Sequence, residues 1–132
     1  MSQTPAMHVP TAGILSRPDS RISERGFSDR VVELARWCGW TVAHFGAAQT
    51  SKGWRTPVRY DGKGFPDLVL VHPERGLVWF RELKVTGRPL DPDQRVWRDR
   101  LTAAVANYDV WRPSDWADIV AALSNGRAEV MS

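Results

Sequence analysis

Gly64-Phe65-Pro66-Asp67-Leu68-Val69-Leu70-Val71-His72-Pro73-Glu74-Arg75-Gly76-Leu77-Val78-Trp79-Phe80-Arg81-Glu82-Leu83-Lys84 is the stretch that decides the fold of this 132-residue chain. Asp67 to His72 reads as a buried strand, Pro73 to Gly76 as a four-residue turn, and Leu77 to Lys84 as a returning strand. If His72 pairs with Leu77 across the turn, the ladder puts Asp67 directly opposite Glu82. Opposed residues share a face, with Cα atoms about 4.5–5.5 Å apart. Lys84 lies two residues beyond Glu82 and points to the same face. Two carboxylates and an ammonium thus meet at the open end of an apolar hairpin. Behind them run Val69, Val71, Val78 and Phe80; the other face carries Leu68, Leu70, Leu77, Trp79 and Leu83, with Arg81 at its open end. Both faces read as covered core.

Two carboxylates side by side repel unless something positive sits between them. A divalent ion with a hard-oxygen preference is the economical answer, and magnesium takes one or two carboxylates together with waters and phosphate oxygens. Such an ion polarises a phosphate and lowers the pKa of a bound water. Lys84 is then placed to orient that water or to offset charge building on the phosphate. On spacing alone, Glu82 and Lys84 also fit a plain strand end at the surface. The use of lysine weighs against that, because 15 of the 18 basic residues are arginine.

Outward from the hairpin, Phe27, Val31, Leu34, Ala35 and Cys38 recur at helical spacing, with Ser23 as the cap and Gly39 as the stop. Trp40 to Phe45 reads as a short strand, and Gly46 to Gly64 as a long polar loop. Asp91, Pro92 and Gln94 open a helix as N-cap, first helical residue and capping-box partner. Its apolar stripe is Val96, Trp97, Leu101, Ala104 and Val105. Tyr108 to Trp111 is a last strand, and Ser114 caps a final helix through Leu123. The expected architecture is α/β, in the order αβββαβα. Residues 1–22 read as a flexible arm, 23–124 as the domain and 125–132 as a polar tail.

Composition sets the outer limits. Hydrophobic residues make up 42% and charged residues 25%, which fits one soluble globular domain. No apolar run approaches the ~20 residues that a helical membrane span needs. A single cysteine, Cys38, permits neither an internal disulfide nor a Cys-rich zinc site, and a reduced cytoplasmic compartment is the default. The net charge of +3 is uneven, and Lys52, Arg55, Arg59 and Lys63 face only Asp61 within the long loop. Trp54 among them suits stacking on an unpaired base beside phosphates, or anchoring of the loop against the core. Trp37, Trp40, Trp79, Trp97, Trp111 and Trp116 fall in periodic elements and read as core.

Gly64-Phe65-Pro66-Asp67, an apolar strand and Glu82-Leu83-Lys84 resemble the PD-(D/E)XK nuclease signature, closest in detail to the VRR-NUC family of virus-type replication-repair nucleases. The resemblance runs from about Ser23 to Leu123. It includes the Glu24 helix, Gly39-Trp40, His44, the Gln94 helix and Val110-Trp111-Arg112-Pro113. It implies a restriction-endonuclease-like core, a mixed four-stranded sheet flanked by helices, and metal-dependent phosphodiester hydrolysis. It makes Asp67, Glu82 and the Leu83 carbonyl metal ligands and Lys84 the catalytic lysine. Glu24 matches the family's acidic residue in the first helix, and Gln94 its glutamine after the hairpin. Helix-dipole complementation accounts equally well for Glu24, and the capping box for Gln94. Ser28 departs from the longer polar residue of many relatives, and Asn107-Tyr108-Asp109 lacks their glycine. His44 reads as a support of the site.

The expected activity is that of a Mg2+- or Mn2+-dependent DNA endonuclease acting on branched DNA such as a Holliday junction or flap, in phage-type replication, recombination or repair. The implied setting is a homodimer, phage-encoded and working in the cytoplasm of a bacterial host. Two other classes fit the same chain: a non-catalytic DNA-binding subunit that keeps the fold, and a small type II-like restriction enzyme. An intact Asp67, Glu82 and Lys84 set argues against the first. The second needs elements that enter a major groove, for which a chain this short has little room.

Overall fold

The computed structural model describes residues 13–46, 48–50, 53–55 and 59–125. Helix α1 (Glu24–Trp37) starts where the Ser23 side chain accepts from the Gly26 amide, and it ends at Gly39, whose φ of 93° suits glycine. Strand β1 (Thr41–His44) follows, then a small antiparallel ribbon of β2 (Ala48–Thr50) and β3 (Gly53–Arg55). This ribbon lies inside the segment that the sequence presents as an unbroken loop. Strands β4 (Leu68–His72) and β5 (Leu77–Leu83) form the hairpin, closed by a 3-10 turn over Pro73–Arg75. Helix α2 (Pro92–Ala103) leads to β6 (Asn107–Trp111), and α3 (Trp116–Ser124) closes the order.

The main sheet has the order β1-β4-β5-β6, antiparallel at the first two junctions and parallel at the last. It is the expected mixed four-stranded sheet flanked by helices. The hairpin register is also as read, with His72 opposite Leu77 and Leu68 opposite Arg81. A parallel β5–β6 pair needs a crossover, and α2 supplies it while packing on β6. Helix α1 packs against α3, β1 and β5.

The core lies between α1, α3 and one face of the sheet. Phe27, Val31 and Leu34 from α1 and Ile119 and Leu123 from α3 meet Leu68, Leu70, Trp79 and Leu83, all buried. Each such side chain contributes about 1.5–3 kcal/mol through its burial. The Trp40 indole donates to Leu123 O at 2.9 Å, and Arg75 donates to Ala122 O and Leu123 O, so both satisfy the end of α3. Arg81 lies inside this face rather than at an open end. Its guanidinium stacks on Trp79 and Trp111 at 4.6 and 4.9 Å and donates to Asn107 O and Oδ1. Burial pulls its pKa down to about 10, with Asp109 opposing the drop, which still leaves it charged at neutral pH.

Four further expectations change. Ile14 is buried in the core, Leu15 O accepts from Trp116, and Arg30 donates to the carbonyls of Gly13 and Ser16, so the domain begins within the segment read as a flexible arm. The final helix is capped at Asp115, not Ser114: a 3-10 turn over Pro113–Asp115 comes first, and Asp115 Oδ2 accepts from Arg112 N. Trp37 is 43% exposed and does not belong to the core. The second sheet face is only partly covered, because Val78 and Val96 are each half exposed and no residue of α2 is fully buried. Residues 1–12 and 126–132, most of the expected arm and tail, lie outside the described residues.

Candidate active site

The partly covered face is where the charged residues gather. Asp67 directly precedes β4, and its backbone is fixed by Phe45 N donating to Asp67 O at 2.7 Å. Its side chain turns to β5, where Oδ2 accepts from Leu83 N at 2.9 Å. One residue back, Glu82 is 2% exposed, and Lys84 just beyond the strand is 5% exposed. The sequence-derived opposition of Asp67 and Glu82 therefore holds, and Lys84 is buried beside them rather than at the surface.

Burial, the Asp67 charge and a hydrogen bond shared with Asp67 push the Glu82 carboxyl up to about 9; Lys84 pulls against this, and Glu24 adds to it. At neutral pH the buried Glu82 carboxyl therefore keeps its proton. Glu82 is thus protonated far above the ordinary glutamate value of 4.5. Folding favours this protonated form. The resulting stabilisation is fully present below 4.5 and is lost as pH rises through about 9. We expect the melting temperature of EDTA-treated protein to carry a component that falls between about pH 5 and 9, and Glu82→Gln to remove it. A slope unchanged in Glu82→Gln would contradict a protonated Glu82.

Gln94 joins the cluster from α2. Its Oε1 accepts from Asp91 N at 2.8 Å, and its Nε2 donates to Glu82 Oε2 at 2.9 Å. The Gln94 amide thus does more than close the helix cap. One end fixes the start of α2 and the other orients the Glu82 carboxyl. Gln94→Ala is expected to cut metal affinity about 10–100-fold, the usual effect of losing a group that orients a ligand. Calorimetric titration of Mg2+ or Mn2+ checks this, and an unchanged affinity would reduce Gln94 to a cap.

The remaining candidates lie at graded distances. Glu24, at the exposed start of α1, repels the ionised form of Glu82 but does not join it closely. Among the described residues no three His, Cys, Asp or Glu side chains are placed to hold a metal by themselves. Asp67 and Glu82 are the two carboxyls that could hold a metal ion here, an oxygen donor set of the kind magnesium takes. Phe65 anchors the approach to Asp67 through edge contacts with Phe45, Phe80 and Trp97 at 5.4, 6.2 and 5.0 Å. The Trp97 indole donates to Asp61 O, tying the preceding loop to α2.

Of the basic-loop candidates, Arg59 is exposed, whereas Lys63 pairs with Asp93 at 3.4 Å and is not a free cation. Lys52 and the side chains of Trp54 and Arg55 lie outside the described residues. Two contacts of the site were not foreseen from sequence. Ser28 Oγ, buried one helical turn after Glu24, bonds His44 Nε2 at 3.2 Å and braces β1 beside the site. Tyr108 pairs with Phe80 and so shares the Glu82 face; burial and then the Glu82 charge push its phenol up to about 12. The parallel register of β6 would have placed Tyr108, but sequence alone does not fix that register.

No family model matches the chain, and no curated protein does. Among solved structures the chain is similar to one of a VRR_NUC domain, at 25% identity and a TM-score of 0.48, covering 70% of this chain and 91% of that one.

Proposed function

We propose that the protein is a divalent-metal-dependent DNA endonuclease that hydrolyses phosphodiester bonds at the Asp67–Glu82–Lys84 cluster. The carrying observation is the Asp67–Glu82 pair, opposed at the end of the β4–β5 ladder and set beside the buried Lys84. A fold does not keep two adjacent carboxyls and a lysine at a strand end for packing, because an apolar set would serve packing better. Asp67, Glu82 and the Leu83 carbonyl would hold the ion. Leu83 donates its N–H to Asp67, and in an extended strand N–H and C=O of one residue leave by the same edge. When bound, a Mg2+ or Mn2+ ion supplies an activated water and a polarised phosphate.

The chain's own groups do the rest. Gln94 holds Glu82 in its ligating orientation, and the Leu83 amide does the same for Asp67. Lys84 offers its proton donors to the attacking water or to the phosphate oxygen on which charge develops. Glu24 would order a second-sphere water from the start of α1. Arg59 and the basic residues from Lys52 to Arg55 provide phosphate contacts along the approach.

Substrate preference follows from size. A core this small has few elements for reading bases, which favours branched DNA over a recognition sequence. Paired incision of a symmetric junction needs two clusters, supplied most simply by a two-fold dimer. In this proposal the protein acts as a phage-type repair or recombination enzyme in a bacterial cytoplasm; among the described residues no helix is long and apolar enough to cross a membrane. Incubation with linear, flapped and four-way DNA, with Mg2+ and with EDTA, tests the activity and its preference. Light scattering with and without the junction tests the dimer. Cleavage confined to one strand by a monomer would remove the dimer and leave the chemistry standing.

A further inference from the structure

Immediately beyond Lys84 the surface opens into a cleft of about 270 Å³ lined by Thr86, Gly87, Arg88, Pro89, Arg112 and Ser114. No carboxylate lines it. The cleft exists because Lys84 N donates to Trp111 O, which brings the chain leaving β5 alongside the end of β6. Arg112 then spans the gap. Its Nη1 donates to Val85 O at 3.1 Å and Arg88 O at 2.7 Å, closing a turn whose Gly87 has φ 81°. Its Nε and Nη2 make no hydrogen bond among the described residues, so half of a rigid, permanently charged fork remains unspent. Arg88 is exposed and makes no ion pair among the described residues, and the Ser114 hydroxyl makes no hydrogen bond there either.

The Thr86 hydroxyl donates to Ser20 O at 3.3 Å. Two guanidinium groups, the Ser114 hydroxyl and a bare glycine around an open cleft form a site for a tetrahedral oxyanion. Its position says which one. Lys84 and Arg112 directly follow the ends of the parallel strands β5 and β6, so the cleft lies at the edge at which open α/β sheets bind ligands. Thr86 is two residues from Lys84, at most about 7 Å of chain. A DNA strand advances about 3.4 Å per nucleotide.

We propose that this cleft is a phosphodiester-binding subsite, holding the DNA backbone about two nucleotides from the bond cut at the Asp67–Glu82–Lys84 cluster. The proposal rests on the nuclease reading. It gives Arg112, part of the Val110-Trp111-Arg112-Pro113 motif, two duties: one nitrogen shapes the turn and the others grip the strand. The substrate would then be held on both sides of the cut, by the basic loop before Asp67 and by this cleft after Lys84.

The test is fluorescence anisotropy of a labelled duplex in EDTA, over a range of salt, paired with Mg2+-dependent cleavage by the wild-type protein. Arg88→Gln and Ser114→Asp alter exposed side chains that make no bond within the fold, so both should remain folded. Each is expected to weaken binding roughly tenfold, the scale of one charge-assisted hydrogen bond. Arg88→Gln should also flatten the slope of log affinity against log salt by about 0.9, and do so for every sequence alike. Arg36→Gln, in the last turn of α1 and away from the cleft, should change neither. Wild-type affinity and slope in both Arg88→Gln and Ser114→Asp would overturn the subsite, while Mg2+-dependent cleavage by the wild type would keep the nuclease reading. A wild type that neither binds nor cleaves DNA would overturn both.

Discussion

Asp67→Asn and Glu82→Gln are each expected to cut Mg2+-dependent cleavage by at least about a thousandfold, while the metal-free protein melts no lower than the wild type. The amides keep the geometry. After Asp67→Asn the side-chain carbonyl can still accept from Leu83 N, and after Glu82→Gln it can still accept from Gln94 Nε2. What the two substitutions remove is charge. The Glu82 carboxyl, already pushed up to about 9 by burial and by Asp67, gains nothing for folding from its ionised form at neutral pH. Loss of activity without loss of stability separates a functional pair from a structural one. Circular dichroism melting in EDTA and gel-based cleavage on the same preparations give both readings. Wild-type cleavage rates in either variant would remove that carboxylate from the chemistry.

Gly64→Ala has the second largest expected effect, and it acts through position. Gly64 has φ 85°, and a Cβ there would lie 2.5 Å from Asp93 C and 2.6 Å from Asp93 O, main-chain atoms that cannot turn aside. Left-handed strain adds about 1–2 kcal/mol, and the overlap adds more. A total of about 3 kcal/mol or more should lower the melting temperature by roughly 10–20 °C. Cleavage should fall as well in whatever remains folded, because the overlap pushes Asp67 and Gln94 apart. Gly76→Ala is the control. Its φ is 67° but no atom lies within 4 Å of the added Cβ, so only the backbone strain applies. Melting of Gly64→Ala within a few degrees of Gly76→Ala would show that the close approach to α2 is not needed.

The site was legible where local rules dictate geometry. A short turn after His72 and a strict period of two fix which residues oppose each other, so Asp67, Glu82 and Lys84 could be placed together before any fold was known. The place of Gln94 at the start of α2 was legible from the capping box, whereas its meeting with Glu82 was suggested only by the family resemblance. Legibility failed where the outcome depends on elements distant in sequence. Val78 and Val96 fit a core pattern, but nothing local says that α2 leaves that face partly open. Ile14 sits in a stretch with no periodic pattern, and only the arrival of α1 and α3 gives it a core to enter. Lys63 counts as a free cation until the fold brings Asp93 of α2 to it. The β2–β3 ribbon has strands of three residues each, too short for a periodic signal.

Lys84 carries the central claim most directly, because neither a structural ion pair nor a DNA-binding surface needs a lysine buried beside two opposed carboxyls. Cleavage of a four-way junction by wild type and Lys84→Ala, purified in parallel and both shown to be folded, is the deciding measurement. The account predicts cleavage by the wild type in Mg2+, none in EDTA, and a loss of at least about a hundredfold in Lys84→Ala. Undiminished Mg2+-dependent cleavage by folded Lys84→Ala would contradict it.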